Sequence, residues 1–198
     1  MVQKTGECSR YDRKAVPALF IENKTIKMGA NITLITGGQR SGKSSFAREL
    51  AEKNSSTPVF LATARVWDEE FRKRIERHQS DRDSRWSTFE EEKNLALLNL
   101  SGQTVLLDCI TLWLNNFFHD CGFDPDKARA EAQKEWDSLI RQDTTLIVVS
   151  NELGMGIIPE NEAARKFIDL QGWMNQHIAR SAQTIYWMIS GIPVKIKG

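Results

Sequence analysis

The chain has 198 residues, in which 27 Lys and Arg nearly balance 26 Asp and Glu for a formal charge of +1. That balance removes the bulk electrostatic case for a nucleic-acid binder or a membrane-surface protein, and no apolar run approaches the ~18 residues that a membrane span requires. Three scattered cysteines, Cys8, Cys109 and Cys121, offer neither a disulfide framework nor a C-x-x-C pair, which suits a reducing cytoplasm.

Residues 1 to about 29 mix Arg10, Asp12, Arg13 and Lys14 with a short apolar patch and are read as an N-terminal extension. A transit peptide is the alternative, against which Asp12 and Glu22 argue. Residues 30–198 are read as a single domain. The apolar pattern switches on with Ile32, Leu34 and Ile35, a compact run ending in a glycine pair, as in a buried strand entering a tight turn. A helix is expected from 43 to about 53, then a strand over 58–62 and a charged helix over 67–79, where Phe71 and Ile75 stand four apart.

The alternation continues with a strand over 104–108, an apolar helix-like stretch over 110–118, an amphipathic helix over 125–141 and a strand over 145–150. A helix over 160–182 follows, and 184–190 with 194–196 reads as a closing hairpin around Gly191, Ile192 and Pro193. Short, continuously apolar strands separated by helices predict an α/β fold with a mainly parallel sheet covered on both faces. The six tryptophans are dispersed, and Trp113, Trp136 and Trp173 fall within helical patterns, so core packing accounts for them better than base stacking.

Gly37, Gly38, Gln39, Arg40, Ser41, Gly42, Lys43 and Ser44 match G-x-x-x-x-G-K-[ST] between a predicted strand and a predicted helix. The chemistry requires that context. Glycines let successive backbone N–H groups curl around phosphate oxygens, and the helix start adds a favourable dipole. Lys43 neutralises the β- and γ-phosphates, while the Ser44 hydroxyl is a ligand for Mg2+. A P-loop also needs a carboxylate near the metal, and Asp108, after Val105, Leu106 and Leu107, is one candidate for a metal or ribose contact. An ordinary strand-ending acid is the other reading of Asp108. Glu152 is a second strand-end acid, followed by the glycines Gly154 and Gly156, which permit either a ligand-approaching loop or a plain turn.

His78 stands among Arg74, Arg77 and Arg82 at the end of a charged helix. The residues alone allow a solvated helix end, or a phosphate-binding group in which the imidazole acts as nucleophile or base. His119 and His177 have no comparable setting and are read as structural or surface groups.

Five segments taken together resemble the adenosylcobinamide kinase/adenosylcobinamide-phosphate guanylyltransferase family of cobalamin biosynthesis. They are the P-loop with Thr36; Arg74, Ile75 and His78 with Trp86 and Glu90; the run from Leu106 to Thr111; the block N-E-L-G-M-G-I-I-P-E-N from Asn151 to Asn161; and Ser190 to Lys195. The resemblance runs from about Asn31 to the C-terminus, and the N-E-L-G-M-G block is far more specific than the P-loop. It implies a P-loop NTPase fold of RecA-like type and a cytoplasmic homotrimer. It also implies phosphorylation of the aminopropanol hydroxyl of adenosylcobinamide by ATP or GTP, then transfer of GMP from GTP to adenosylcobinamide phosphate through a covalent histidine. On that alignment the histidine is His78. Gln79, Ser80, Asp81, Arg82 and Glu90 would help hold the nucleotide, as would Ala62, Thr63 and Ala64, with Thr63 contributing its side chain; Ser44 and Asp108 would hold Mg2+. Arg77 and Asp108 depart from residues found in some members, and the N-terminal extension is longer than expected.

Overall fold

In the computed structural model, residues 29–65 and 83–198 are described. The predicted helix over 67–79 and nearly all of the N-terminal extension lie outside them. One sheet of seven strands organises the rest: β1 (Asn31–Gly37), β2 (Val59–Ala62), β3 (Ser87–Glu90), β4 (Thr104–Asp108), β5 (Thr145–Val149), β6 (Thr184–Ile189) and β7 (Ile192–Lys197). Their order across the sheet is β3-β2-β4-β5-β1-β6-β7, parallel throughout except for the final antiparallel pair. Helices α1 (Lys43–Asn54), α2 (Ile110–Asp120), α3 (Pro125–Leu139) and α4 (Glu162–Ser181) complete the domain. Where an element was expected among the described residues, its boundaries lie within about two residues of the expectation, as fraying at element ends allows.

Strand alternation sorts side chains into two cores. Leu146 and Val148 of β5, with Leu34, Val105 and Leu107, join a large core sealed by Trp113, Leu114, Trp136, Leu170 and Met174 from α2, α3 and α4. Their neighbours Ile147 and Val149, with Ile35 and Leu106, face the other way and meet α1 through Ala47 and Ala51, whose small side chains bring that helix close to the sheet. Trp113 and Trp136 are fully buried, as expected, whereas Trp173 is 37 % exposed and stacks beneath the Arg129 guanidinium at 4.5 Å. The helix ends are fixed locally. Asp124 accepts from the Asp126 and Lys127 amides to start α3, and Asn161, the last residue of the N-E-L-G-M-G block, caps α4 by accepting from Ala164 N–H.

Two features differ from the sequence reading. β3 was not expected, because S-T-F-E is short and exposed along its whole length and leaves no burial pattern to read. The hairpin turn falls one residue earlier than the glycine-proline signal suggested. Ser190 and Gly191, with φ of 50° and 84°, form a two-residue connection whose twist suits an antiparallel pair, and Ile192 and Pro193 already belong to β7. Proline is tolerated there because β7 is an edge strand.

Beyond β2, Arg65 donates to Glu92 at 2.6 Å and to Asp120 at 2.9 Å, and Lys93 reaches Asp120 at 3.1 Å. This cluster ties the β2 exit to the end of α2. Hydrogen bonds from Arg65 and Lys93 hold the Asp120 carboxyl well below the usual carboxylate range. A carboxyl so depressed in the fold stabilises above its unfolded pKa near 4, and the contribution drains away as pH falls further. Asp120→Asn should therefore lower stability at pH 7 by about 1 kcal/mol or less, as for partly exposed ion pairs. Urea midpoints of the variant and the parent should draw together between pH 4 and pH 2.

Candidate active site

The sheet register brings the predicted residues to one edge. Ala62 is paired with Glu90 on one side and with Asp108 on the other, Asp108 with Val149, and Val149 with Ile35, two residues before the P-loop begins. The P-loop thus emerges from β1, with β5 alone between it and the strand that ends in Asp108.

The loop's shape is imposed from both sides. A Cβ on Gly37 would lie 2.6 Å from the Met188 carbonyl oxygen of β6, and Gly42 has φ of 92° at the start of α1, so both positions require glycine. The β6–β7 turn closes on the loop: Gly191 N–H donates to the Ser41 carbonyl at 3.0 Å. The hydroxyls of Thr36 and Ser41 are buried with no hydrogen-bond partner among the described residues, a state that an incoming anion rich in acceptor oxygens would relieve. Lys43 is only 7 % exposed and its ammonium donates to the Gly38 carbonyl at 2.6 Å. Burial lowers its pKa, opposed by the nearby Cys109 and Asp108. The Cys109 thiol is itself pushed up to about 12 by burial and by Asp108, so it is a neutral packing group and no nucleophile.

Thr63 plays a different part from the one expected. It is fully buried; its hydroxyl donates to the Cys109 carbonyl at 2.9 Å and accepts from the Cys109 N–H at 3.1 Å. Asn116 of α2 in turn donates to the Thr63 carbonyl at 2.8 Å. Thr63 therefore splices the end of β2 to the end of β4 and positions Asp108, and the hydroxyl assigned from sequence to the nucleotide is committed to the backbone.

Asn151 and Glu152, at the end of β5, complete the edge. Glu152 N–H donates to the Gly37 carbonyl at 3.0 Å, and Asn151 Nδ2 donates to Thr111 Oγ1 at 3.0 Å. Behind them runs a buried polar network. Ser150 donates to Asn175 at 2.6 Å, Gln171 donates to both Ser150 and Asn175, and Asn175 Nδ2 donates to the Asn151 carbonyl at 3.0 Å. Sequence reasoning had no role for Gln171 or Asn175. The signal was there: two amides four apart on an otherwise apolar helix face, close to Leu170 and Met174.

His78, Gln79, Ser80, Asp81 and Arg82 lie outside the described residues. Ser44 opens α1 beside Lys43, and Asp108 is close enough to Lys43 to influence its charge. Among the described residues no group of three or more His, Cys, Asp or Glu is placed to hold a metal. A hydroxyl and one carboxylate suit Mg2+, which keeps waters and takes nucleotide phosphates as ligands in preference to a protein cage.

A P-loop entering a helix, with its partner acid one strand removed in a mainly parallel sheet, defines a P-loop NTPase of RecA-like topology. Within that class the chain belongs to the cobinamide kinase / cobinamide phosphate guanyltransferase family, whose model matches residues 33–196. It is 37 % identical over 169 residues to the bifunctional adenosylcobalamin biosynthesis protein CobP of Pseudomonas aeruginosa, covering 83 % of this chain and 96 % of that protein. It is 38 % identical over 179 residues to the corresponding protein CobU of Escherichia coli, covering 83 % and 98 %. The crystal structure of flagellar accessory protein FlaH from Methanocaldococcus jannaschii superimposes with a TM-score of 0.41 at 12 % identity, over 86 % of this chain and 79 % of that one.

The splice at Thr63 can be tested directly. Thr63→Val leaves a buried N–H and a buried C=O without their partner, and should destabilise by about 1–3 kcal/mol in urea unfolding. Thr63→Ser keeps the hydroxyl and should recover most of that loss.

Proposed function

We propose that this enzyme uses one P-loop for two successive reactions on a corrinoid. It phosphorylates the aminopropanol hydroxyl of adenosylcobinamide with ATP or GTP, then transfers GMP from GTP to the resulting phosphate, giving adenosylcobinamide-GDP. The observation that carries the reading is the buried Lys43 ammonium inside a P-loop clasped by the β6–β7 turn, with Asp108 beside it. Family membership supplies the substrates.

In the first reaction the hydroxyl oxygen bonds to the γ-phosphorus, the bond from γ-phosphorus to the bridging oxygen breaks, and the electron pair leaves on the nucleoside diphosphate. Lys43 and the loop amides hold the charge that develops. Glu152, whose amide is bonded to Gly37, takes the hydroxyl proton in this scheme. In the second reaction neutral His78 bonds to the α-phosphorus of GTP and diphosphate departs. The substrate phosphate then displaces the imidazole. Arg74, Arg77 and Arg82 neighbour His78 in sequence and balance the charge on both phosphorus centres. Ser44 and Asp108 would hold Mg2+, which when bound supplies charge neutralisation across the phosphates.

We also propose a cytoplasmic homotrimer. Ile192, Val194 and Ile196 project from one face of the edge strand β7 and are 64, 39 and 59 % exposed, an apolar strip suited to contact with another copy. No helix among the described residues is long and apolar enough to cross a membrane.

Incubation with α-labelled GTP should give protein-bound label that is acid-labile and base-stable. His78→Ala should abolish that label, and label persisting in the variant would reject the assigned nucleophile. Lys43→Ala should weaken both labelling and phosphorylation. Glu152→Gln should slow phosphorylation of adenosylcobinamide by about 100-fold, the usual scale for loss of a proton acceptor. Its labelling by GTP should fall far less, and equal losses in both reactions would remove Glu152 from the role of base.

A further inference from the structure

On the same edge of the sheet a single loop turns its aliphatic side chains outward. Met155, Ile157 and Ile158 are 70, 95 and 79 % exposed. Between this loop and α4 lies an open groove of about 420 Å3, lined by Gly154, Ile157 and Ile158 on the loop and by Ile168, Trp173 and Gln176 on the helix. That volume falls within the usual range of small-molecule sites, and clustered exposed aliphatics mark a binding surface. The loop is held at its far end, where Arg165 Nη1 donates to the Pro159 carbonyl at 2.9 Å and to the Glu160 carbonyl at 2.5 Å.

Gly154, which lines the groove, stands two residues along the chain from the P-loop contact, where Glu152 is bonded to Gly37. A Cβ built on Gly154 would lie 3.7 Å from Glu152 Oε1 and 4.0 Å from Ile168 Cγ2, so Gly154 stands between the Glu152 carboxylate and the helical side of the groove. Glu152 in turn is bonded through its amide to Gly37 at 3.0 Å.

We propose that this groove is part of the acceptor subsite, receiving one methyl-rich edge of the corrin macrocycle of adenosylcobinamide while the aminopropanol arm runs past Glu152 to the P-loop. The inference rests on the function proposed above. The occupant's chemistry is complementary. A corrin presents methyl-rich edges, which suit Ile157, Ile158 and Ile168, and peripheral amides, which suit the polar lining groups Arg165, Asp169 and Gln176. Trp173 adds a broad apolar face on one side. A second copy of the chain is the rival occupant, but the apolar strip on β7 already offers a separate surface for it.

The test is the double variant Ile157→Ser/Ile158→Ser in the full-length enzyme. Both residues are exposed, so folding should be retained. The KM for adenosylcobinamide should rise about tenfold or more, since each aliphatic side chain buried against a ligand contributes on that scale, while the KM for GTP stays within about twofold. Free 1-amino-2-propanol, which lacks the macrocycle, should be an equally poor acceptor for the parent and the variant. An unchanged KM for adenosylcobinamide overturns the proposal. So does a variant whose oligomer dissociates and whose KM recovers at high protein concentration, because the groove would then be an interface between copies. A parent enzyme that fails to phosphorylate adenosylcobinamide sinks the functional reading itself, and this inference with it.

Discussion

A lysine ammonium shut away from water is unstable unless anionic partners surround it, and much of this active site is arranged around Lys43. Its charge is tolerated because Asp108 stands at the end of β4, and because the P-loop carbonyl of Gly38 accepts from the ammonium. A triphosphate would add several negative oxygens to the same spot. Neither partner can be placed without the sheet. The β1–β5–β4 order sets Asp108 across from the loop, Met188 of β6 sets the close approach at Gly37, and Gly191 pins Ser41.

The remaining polar residues are supports for that arrangement. Thr63 bonds the ends of β2 and β4 together, and Asn116 holds Thr63 from α2. On the other side Gln171 and Asn175 of α4 hold Ser150 and Asn151, so that Glu152 leaves β5 in a fixed direction against the P-loop. A site built this way, on strand ends braced by buried hydrogen bonds, has the fixed geometry that the proposed presentation of two different phosphorus atoms in turn requires.

Much of the fold was legible in the sequence because parallel strands buried on both faces are written as uninterrupted apolar runs, such as Val105 to Leu107 and Leu146 to Val149. β3 was not, because an exposed edge strand of four residues carries no such run. The P-loop was legible because its chemistry fixes both residue types and spacing. The second part played by Thr63 was hidden for a physical reason: a hydroxyl at a strand end suits a nucleotide contact and a backbone splice equally well, and only the position of Cys109, 46 residues away, reveals the splice. The groove beside Glu152 was illegible for the converse reason. Its helical half, Ile168, Gly172 and Gln176, repeats every four residues as any helix face does, and what distinguishes it is the exposed loop opposite.

In the proposed mechanism one nucleotide cradle serves both phosphorus transfers. Calorimetric titration with a non-hydrolysable GTP analogue, followed by competition with the matching ATP analogue, measures this most directly. One nucleotide site per chain, from which ATP displaces GTP and which Lys43→Ala removes, is the expected result. Two independent sites per chain, or GTP binding that survives loss of the Lys43 ammonium, would contradict it.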